Sequence, residues 1–316
     1  MNNINNNNNI PIIDGHVDLI YEMQRHYYDK PFHEISGGPV TLKKLCKGNV
    51  KIIVSAFFLA DGFNGAELSV NYLKNLINAS DKYLTSLTQI KSREDLDKCF
   101  KKGSGVIFLL ENADALLNFS ISELKNKNIK TIGLTHVGKN RIGDGNMVPF
   151  PEKLTKHGKE LVKILDQNGF AIDLAHLSEP SFFDVVNSFK GPIMSSHTGL
   201  TPFYNTPRNL SPEQIKIILQ RKGVIGISVN PEMLSYSQSA TINDVFIQID
   251  YIAQKYDVDG IAIGSDFCGF DLINSGLDDI SKLSNLAEIL DKNGYPEKAV
   301  KKILGENWFN FYASLF

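Results

Sequence analysis

The sequence predicts a single (β/α)8 barrel, a TIM barrel. Eight short runs rich in Val, Ile, Leu and Phe recur along the 316 residues, and helix-like stretches separate most of them. Because each run is apolar on both faces, each strand is expected to be buried on both sides, as in a parallel sheet covered by helices. Eight such strands in a chain of this length favour closure into a barrel. The runs are residues 10–18, 50–60, 105–111, 130–137, 169–176, 191–197, 223–230 and 260–267.

The stretches between the runs carry apolar residues at helical spacing. In 66–88, for example, Leu68, Tyr72 and Leu76 recur every fourth residue and define one face of a helix. Glycine stands at or near the end of several of these stretches, where a helix is often closed by a left-handed residue. We therefore expect helices at 66–88, 93–102, 152–168, 178–189, 211–222, 241–256, 279–293 and about 296–315.

Composition and charge narrow the class of protein. The net charge is −2 and the basic residues are scattered along the chain, so no nucleic-acid-binding surface is expected. No apolar run reaches the ~18 residues of a membrane span, and no signal peptide is recognisable. Three cysteines without CxxC spacing favour a reducing compartment, so we expect a cytoplasmic protein. Residues 1–9 are expected to be a disordered, asparagine-rich tail, and 10–316 a single domain, since no linker or repeat divides them.

Ionisable residues stand where the apolar runs end. The first run contains His16 and Asp18, two residues apart and so on one face of a strand. In a barrel the carboxyl ends of all strands meet around one mouth, and a carboxylate buried there requires a cation or a donor. Nitrogen and oxygen ligands suit a borderline metal such as zinc. The sequence therefore predicts a metal site at this mouth, to which other runs contribute His136, His176, His197, Glu111 and Asp266.

Each of these residues also has a simpler interpretation. His16 and Asp18 fit a hydrogen-bonded pair at a strand end, and His176 fits a core histidine. Ser195 and Ser196 lack the GxSxG elbow of a serine nucleophile and are interpreted as structural.

A doubly wound open sheet also places ligands at strand ends, but its crevice would hardly recruit six of eight strands.

An ordered set of motifs runs along the chain. In chain order they are IDGHVDL, LLEN, GLTHV, LTKHGKELVKILDQNGFAIDLAH, PIMSSH, TPRNL and IAIGSDF. This set resembles the membrane (renal-type) dipeptidases of the metal-dependent amidohydrolase superfamily. The resemblance runs from about residue 10 to the end of the chain and includes the closing LGENW segment.

The resemblance implies a homodimeric dipeptidase with two zinc ions per chain. His16 and Asp18 would bind one ion, His176 and His197 the other, and Glu111 would bridge them. The implied reaction is hydrolysis of a dipeptide's peptide bond by metal-activated hydroxide.

Three further residues receive roles from the same resemblance. His136 would polarise the substrate, Arg208 of TPRNL would clamp the substrate's carboxylate, and Asp266 would be the catalytic acid and base. The chemistry of each residue suits its role, because an arginine's planar fork fits a carboxylate and an imidazole can donate to an oxyanion.

The chain departs from the family's pattern near the site. GSDFCG places Cys268 where a carboxylate is usual, Asn112 follows Glu111 where glycine is more usual, VNPEML is shorter than expected, and HVGKNRIGDG lacks the expected aromatic pattern. These changes leave the predicted ligands intact and bear on substrate preference.

Two other functions stay open on the sequence. One is another metal-dependent amidohydrolase, acting on a lactone, a cyclic amide or an N-acyl amino acid. The other is a non-catalytic metal-binding protein, in which Asp266 and Arg208 would be idle. Barrels with a bridging modified lysine would carry His-x-His on the first strand and lysine on the fourth, where this chain has His-x-Asp and His136.

Overall fold

A computed structural model describes residues 10–237, 239–272 and 274–316, and the expected disordered tail, residues 1–9, lies outside the described residues. Eight parallel strands form a closed barrel, as predicted. Each strand pairs with its neighbours in the chain, and the first pairs with both the second and the last. The strands are β1 (Ile12–Val17), β2 (Val50–Phe58), β3 (Gly105–Glu111), β4 (Thr131–Gly133), β5 (Ala171–Asp173), β6 (Ile193–Thr198), β7 (Val224–Ile227) and β8 (Ile261–Ile263).

The predicted helices are present with somewhat different bounds, and short helices not expected from the sequence lie among them. The α-helices are α1 (Leu19–His26), α2 (Leu42–Lys47), α3 (Ala66–Tyr83), α4 (Arg93–Lys102), α5 (Ile121–Asn126), α6 (Lys156–Gln167), α7 (Glu179–Ser188), α8 (Pro212–Gln220), α9 (Pro231–Leu234), α10 (Ile242–Tyr256), α11 (Asn285–Lys292), α12 (Glu297–Lys301) and α13 (Asn307–Ala313). A 3-10 turn at Ile280–Ser284 precedes α11, and a π-helical turn at Lys302–Glu306 separates α12 from α13.

Side-chain caps fix where several helices begin. Ser92 Oγ accepts a hydrogen bond from the Asp95 amide at 3.2 Å, at the start of α4. Ser211 and Gln214 form a reciprocal capping box at the start of α8. Such caps satisfy amide groups that have no partner within the helix. In the described part of the chain, none of the helices combines the length and apolarity that a membrane crossing requires.

The strands separate two apolar cores. Ile12 and Ile53 belong to the layer between the barrel and its helices, whereas their neighbours Ile13 and Ile52 belong to a second cluster inside the barrel. Because neighbouring residues of a strand point to opposite faces, both faces are buried and the runs are apolar throughout. This explains why the strands could be recognised without any alternation of apolar and polar residues.

The last helix closes the amino-terminal end of the barrel with Trp308. This side chain is fully buried in the inner cluster, and its Nε1 donates to the carbonyl oxygen of Ile263 in β8 at 2.8 Å. A Cβ at Gly15 in β1 would lie 2.4 Å from the indole ring, so that position has no room for a side chain. The opposite, carboxyl-terminal end is left for polar groups.

We expect Trp308→Ala to lower the free energy of unfolding by about 3–5 kcal/mol, because it leaves a large cavity in the barrel and removes a hydrogen bond to β8. The shift is measurable as a lower urea midpoint. Phe150→Ala is the control, since the Phe150 side chain is 97% exposed and should change stability by less than about 0.5 kcal/mol. Equal midpoints for the two variants would contradict a plugging role for Trp308.

Candidate metal centre

The predicted site residues lie together around a cavity of about 550 Å³ at the carboxyl-terminal end of the barrel. Its walls also include Tyr21, Phe58, Met147, Tyr204 and Met233, which make much of the cavity apolar. Among the predicted residues, only His16 does not line the cavity, because it is fully buried against Asp18 and Glu111. The lining includes Asp18, Glu111, His136, His176, His197, Arg208 and Asp266.

Two of the side chains that line the cavity lie in strands, and a third follows an irregularity in strand pairing. Glu111 is the last residue of β3, and His197 lies within β6. Asp18 lies one residue beyond β1, after a register shift between Asp14 and Val17 in the pairing with β2. The strand alternation used in the sequence analysis therefore does not extend to Asp18. A bulge of this kind re-aims side chains near a barrel's rim.

Loops carry three more of these residues, each three positions past the end of its strand. His136 follows β4, His176 follows β5 and Asp266 follows β8. His176 and Asp266 have φ angles of 64° and 68°, in the left-handed region that few residues other than glycine adopt. Such conformations persist only where the surrounding structure enforces them, and they occur often at functional sites.

The two oxygens of Glu111 face different histidines. Oε2 lies 3.5 Å from His16 Nε2, which in turn lies 3.5 Å from Asp18 Oδ2. Oε1 lies 2.7 Å from His176 Nε2 and 3.9 Å from His197 Nε2. The two last-named nitrogens are 3.0 Å apart. Glu111 is therefore shared between two groups of ligand-type atoms.

These spacings fit cation binding. Metal–ligand bonds of about 2.0–2.2 Å in tetrahedral geometry place ligand atoms about 3.3–3.6 Å apart. The two 3.5 Å separations around His16 Nε2 fall in this range, whereas the 2.7 Å contact between Glu111 Oε1 and His176 Nε2 has the length of a hydrogen bond. Among the described residues, His16 Nε2 and Asp18 Oδ1 are buried and have no hydrogen-bond partner. A buried polar atom without a partner is costly, so both atoms fit the role of ligands to a cation. Three triads of His, Asp and Glu that could hold an ion overlap at this cluster.

The charge balance of the cluster leads to the same requirement. Burial, reinforced by the nearby charge of Asp18, raises the pKa of the Glu111 carboxyl and of the Asp266 carboxyl to about 7. Burial alone would lower the pKa of His16, but the carboxylates of Glu111 and Asp18 outweigh it and raise that pKa to about 10. The cluster therefore attracts positive charge.

His176 and His197 are neutral. Burial, together with nearby cationic groups that include Arg208, lowers the pKa of His176 and of His197 well below the ordinary value. Neutral imidazole is the form that binds a metal ion. The two rings therefore present lone pairs to the site without adding charge.

Two polar side chains on the cavity wall are held by neighbours. The guanidinium of Arg208 lies 3.3 Å from His176 Nε2 and donates to the carbonyl oxygen of His197 at 3.2 Å. Asn230, which follows β7, donates from Nδ2 to Asp266 Oδ2 at 2.9 Å. The sequence analysis did not identify Asn230, whose only signal is its position just past a strand end.

His136 is fixed by Asp61, a second residue that the sequence analysis missed. Asp61 Oδ2 lies 3.1 Å from His136 Nδ1 and accepts the Gly138 amide at 2.9 Å. The ring of Phe58 packs edge-on against the His136 ring, with centroids 4.8 Å apart. A Cβ at Gly138 would lie 2.8 Å from Asp61 Oδ2, so glycine permits this close approach. These contacts leave Nε2 of His136 as its unbonded nitrogen.

Cys268, which replaces the family's carboxylate, is buried and does not line the site cavity. It lines a neighbouring cavity with Glu22 and His26. Since Cys268 also belongs to the buried apolar layer around the barrel, its thiol is part of the core.

Comparison with known proteins identifies the family. A barrel with ligand-type side chains gathered at its mouth is the arrangement of a metal-dependent hydrolase. The sequence model of the membrane dipeptidase family, peptidase family M19, matches residues 5–313. The chain belongs to this family, which confirms the resemblance seen in its motifs. It is thus a metallopeptidase of the class that acts on dipeptides.

Curated relatives are similar over nearly the whole chain. Dipeptidase tcpJ of Claviceps purpurea is 23% identical over 318 residues, which cover 93% of this chain and 74% of that protein. Dipeptidase verJ of Clonostachys rogersoniana is 24% identical and is covered to 82%, with 94% of this chain matched.

Solved structures share the fold. A crystal structure of a dipeptidase AC, described as a metallopeptidase, has a TM-score of 0.86 at 21% identity and covers 96% of this chain and 97% of its own. A metallopeptidase from Rhodobacter sphaeroides, bound to a phosphinate mimic of the dipeptide L-Ala-D-Ala, has a TM-score of 0.86 at 20% identity, with 97% and 99% covered. At these identities the likeness establishes the (β/α)8 fold.

Proposed function

We propose that this protein hydrolyses dipeptides with two zinc ions bound at the strand-end cluster. The observation that carries the proposal is the orientation of Glu111, whose two carboxylate oxygens address separate sets of ligand-type atoms. A carboxylate placed in this way suits a bridge between two cations better than a ligand of one.

The distances around Glu111 support a division of the ligands into two sets. His16 and Asp18 would hold one ion beside Glu111 Oε2, and His176 and His197 the other beside Oε1. The chemistry of these donors suits zinc, which accepts imidazole nitrogen and carboxylate oxygen together. When bound, the two cations would supply Lewis acidity that lowers the pKa of a water and polarises the scissile carbonyl.

The protein's own residues would handle the proton and the developing charge. Asp266 is held through Oδ2 by Asn230, which leaves Oδ1 to take a proton from the attacking water and to pass it to the leaving amine. His136 Nε2 faces the cavity and would donate to the carbonyl oxygen as negative charge builds on it. Neither role requires the side chain to move far.

Arg208 would set the length of the substrate. It is the only lysine or arginine among the described residues that line the cavity. Its planar fork suits the free carboxylate at the end of a dipeptide. Since Arg208 lies beside His176, a carboxylate that it binds would be held close to the carbonyl reacting at the ligand cluster, which favours dipeptides over longer peptides.

Metal content tests the binuclear assignment. Purified protein that has not met a chelator should contain two metal ions per chain by elemental analysis and should hydrolyse a mixed panel of dipeptides. His176→Ala should lose one ion preferentially, because its Nε2 belongs to one ligand set only. The matched control is His157→Ala, since His157 is exposed on α6 and should keep both ions and full activity.

Two outcomes would contradict the proposal. One ion or none per chain would exclude the binuclear centre. Turnover of lactones, cyclic amides or N-acyl amino acids without any turnover of dipeptides would move the protein to a different activity on the same barrel.

If Arg208 binds the free carboxylate of the dipeptide, changing either partner should lower kcat/KM by a similar amount. Arg208→Lys should lower kcat/KM by the equivalent of about 2–4 kcal/mol, the scale for truncating one partner of a buried charge pair. Amidating the dipeptide's carboxyl end should cost the wild type a similar amount and the variant little. If amidation costs both enzymes equally, Arg208 does not bind that carboxylate. Metal content is measured alongside, because Arg208 also contacts His176.

The contact between Asp61 and His136 predicts a kinetic effect at a distance from the cluster. Asp61→Asn keeps the size of the side chain but weakens its hold on His136 Nδ1, so kcat should fall by up to about 100-fold, within the range for losing an oxyanion donor. KM and metal content should change little. In a His136→Ala background, Asp61→Asn should cost nothing further. Additive losses would show that Asp61 acts independently of His136.

A further inference from the structure

We propose that the Ser196 hydroxyl is a positioning group shared by the two halves of the metal centre, hydrogen-bonded to a histidine of each half. Ser196 Oγ lies 3.2 Å from His16 Nδ1 and 2.8 Å from His197 Nδ1. The inference rests on the proposed binuclear centre, in which His16 and His197 serve different ions. It gives a specific task to a serine that the sequence analysis interpreted as structural.

The two imidazoles are arranged as a pair. Their ring centroids are 3.7 Å apart with an interplanar angle of 30°, so the rings lie nearly face to face. Each ring turns Nδ1 towards Ser196 and Nε2 towards Glu111, at 3.5 Å for His16 and 3.9 Å for His197. One hydroxyl therefore contacts the rear of both rings while their ligand nitrogens face the same carboxylate.

This geometry gives both rings one outer hydrogen-bond partner. A neutral imidazole that binds a cation through Nε2 carries its hydrogen on Nδ1. A serine oxygen has two lone pairs, so it can accept both Nδ1–H groups at once. Ser196 can thus hold one ligand of each ion in the orientation and tautomer that metal binding requires, and loss of its hydroxyl should weaken both halves of the centre.

The backbone holds Ser196 rigidly in this position. Its amide donates to Asp173 Oδ1 at 2.9 Å. Its carbonyl oxygen packs against Gly226 in β7 and Gly264 after β8, where a Cβ would come within 2.0 and 1.7 Å respectively. Neither neighbour can carry a side chain without displacing the strand. The hydroxyl is therefore placed by strand packing and does not depend on a mobile loop.

The adjacent serine provides a matched control. Ser195 lies in the same strand and is equally buried, but within the described residues its Oγ has no hydrogen-bond partner. Ser195→Ala and Ser196→Ala remove the same atom from neighbouring positions. Only the second removes contacts to the proposed ligands.

The test is a calorimetric titration of Zn²⁺ into metal-free wild type, Ser196→Ala and Ser195→Ala. We expect two sites in the wild type. In Ser196→Ala both sites should weaken by about 10–100-fold, the usual effect of losing a hydrogen-bond partner of a ligand. Ser195→Ala should match the wild type. Thermal melting of the metal-free proteins reports whether each variant folds.

If Ser196→Ala does not fold, Ser196→Cys replaces it, because a thiol keeps the shape of the side chain and is a weak acceptor. It should also weaken both sites. Two sites in Ser196→Ala with the constants of Ser195→Ala would overturn this inference and leave the binuclear centre intact. Weakening confined to one site would overturn the shared role of Ser196. Fewer than two sites in the wild type would instead overturn the proposed function.

Discussion

The mouth of the barrel is governed by a cluster of carboxylates held out of water. Asp18, Glu111 and Asp266 are each at most 6% exposed, and each has a carboxylate oxygen within 4.8 Å of a His16 nitrogen. Like charges at this burial repel strongly, because the medium around them screens poorly. His176 and His197, being neutral, contribute lone pairs and no compensating charge. Bound cations would neutralise these carboxylates. The buried charges that repel one another are therefore the same groups that enable the mouth of the barrel to bind metal.

A layer of hydrogen bonds beneath this cluster fixes the ends of the strands. Asp14 Oδ1 accepts the Ser265 amide at 2.8 Å and so joins β1 to the chain after β8. Asp173 Oδ1 accepts the Ser196 amide at 2.9 Å and joins β5 to β6. These carboxylates satisfy amides near the ends of the regular strand ladder. The barrel therefore changes along its axis from the apolar packing around Trp308, through this polar layer, to the ligands, and each level supports the next.

The sequence was sufficient for the architecture and for the expectation that the predicted side chains lie together, but not for their contacts or for Asp61 and Asn230. Buried parallel strands are apolar on both faces, so their runs were visible; the runs nonetheless extended past the strands, and run 169–176 contains only Ala171–Asp173 as strand. Loops that contain residues in the left-handed conformation bring further side chains to the mouth of the barrel. The periodicity of the sequence does not predict the path of these loops. Asp61 and Ser196 could not be given partners from the sequence, because the relevant histidines, His136 and His16, are 75 and 180 residues away.

Asn112 shows how a departure from the family's usual residue is accommodated. Its φ of 73° is one that glycine adopts freely and that asparagine tolerates better than most residues. Unlike glycine, it carries a side chain, which donates to the Leu59 carbonyl oxygen at 2.9 Å and accepts from Asn140 at 2.8 Å. The loops after β2 and β4 are thereby tied to the residue that follows Glu111. Since the same loops carry Asp61 and His136, this side of the cavity is a rigid unit. Substrate preference here should follow from its fixed shape and not from closure of a lid.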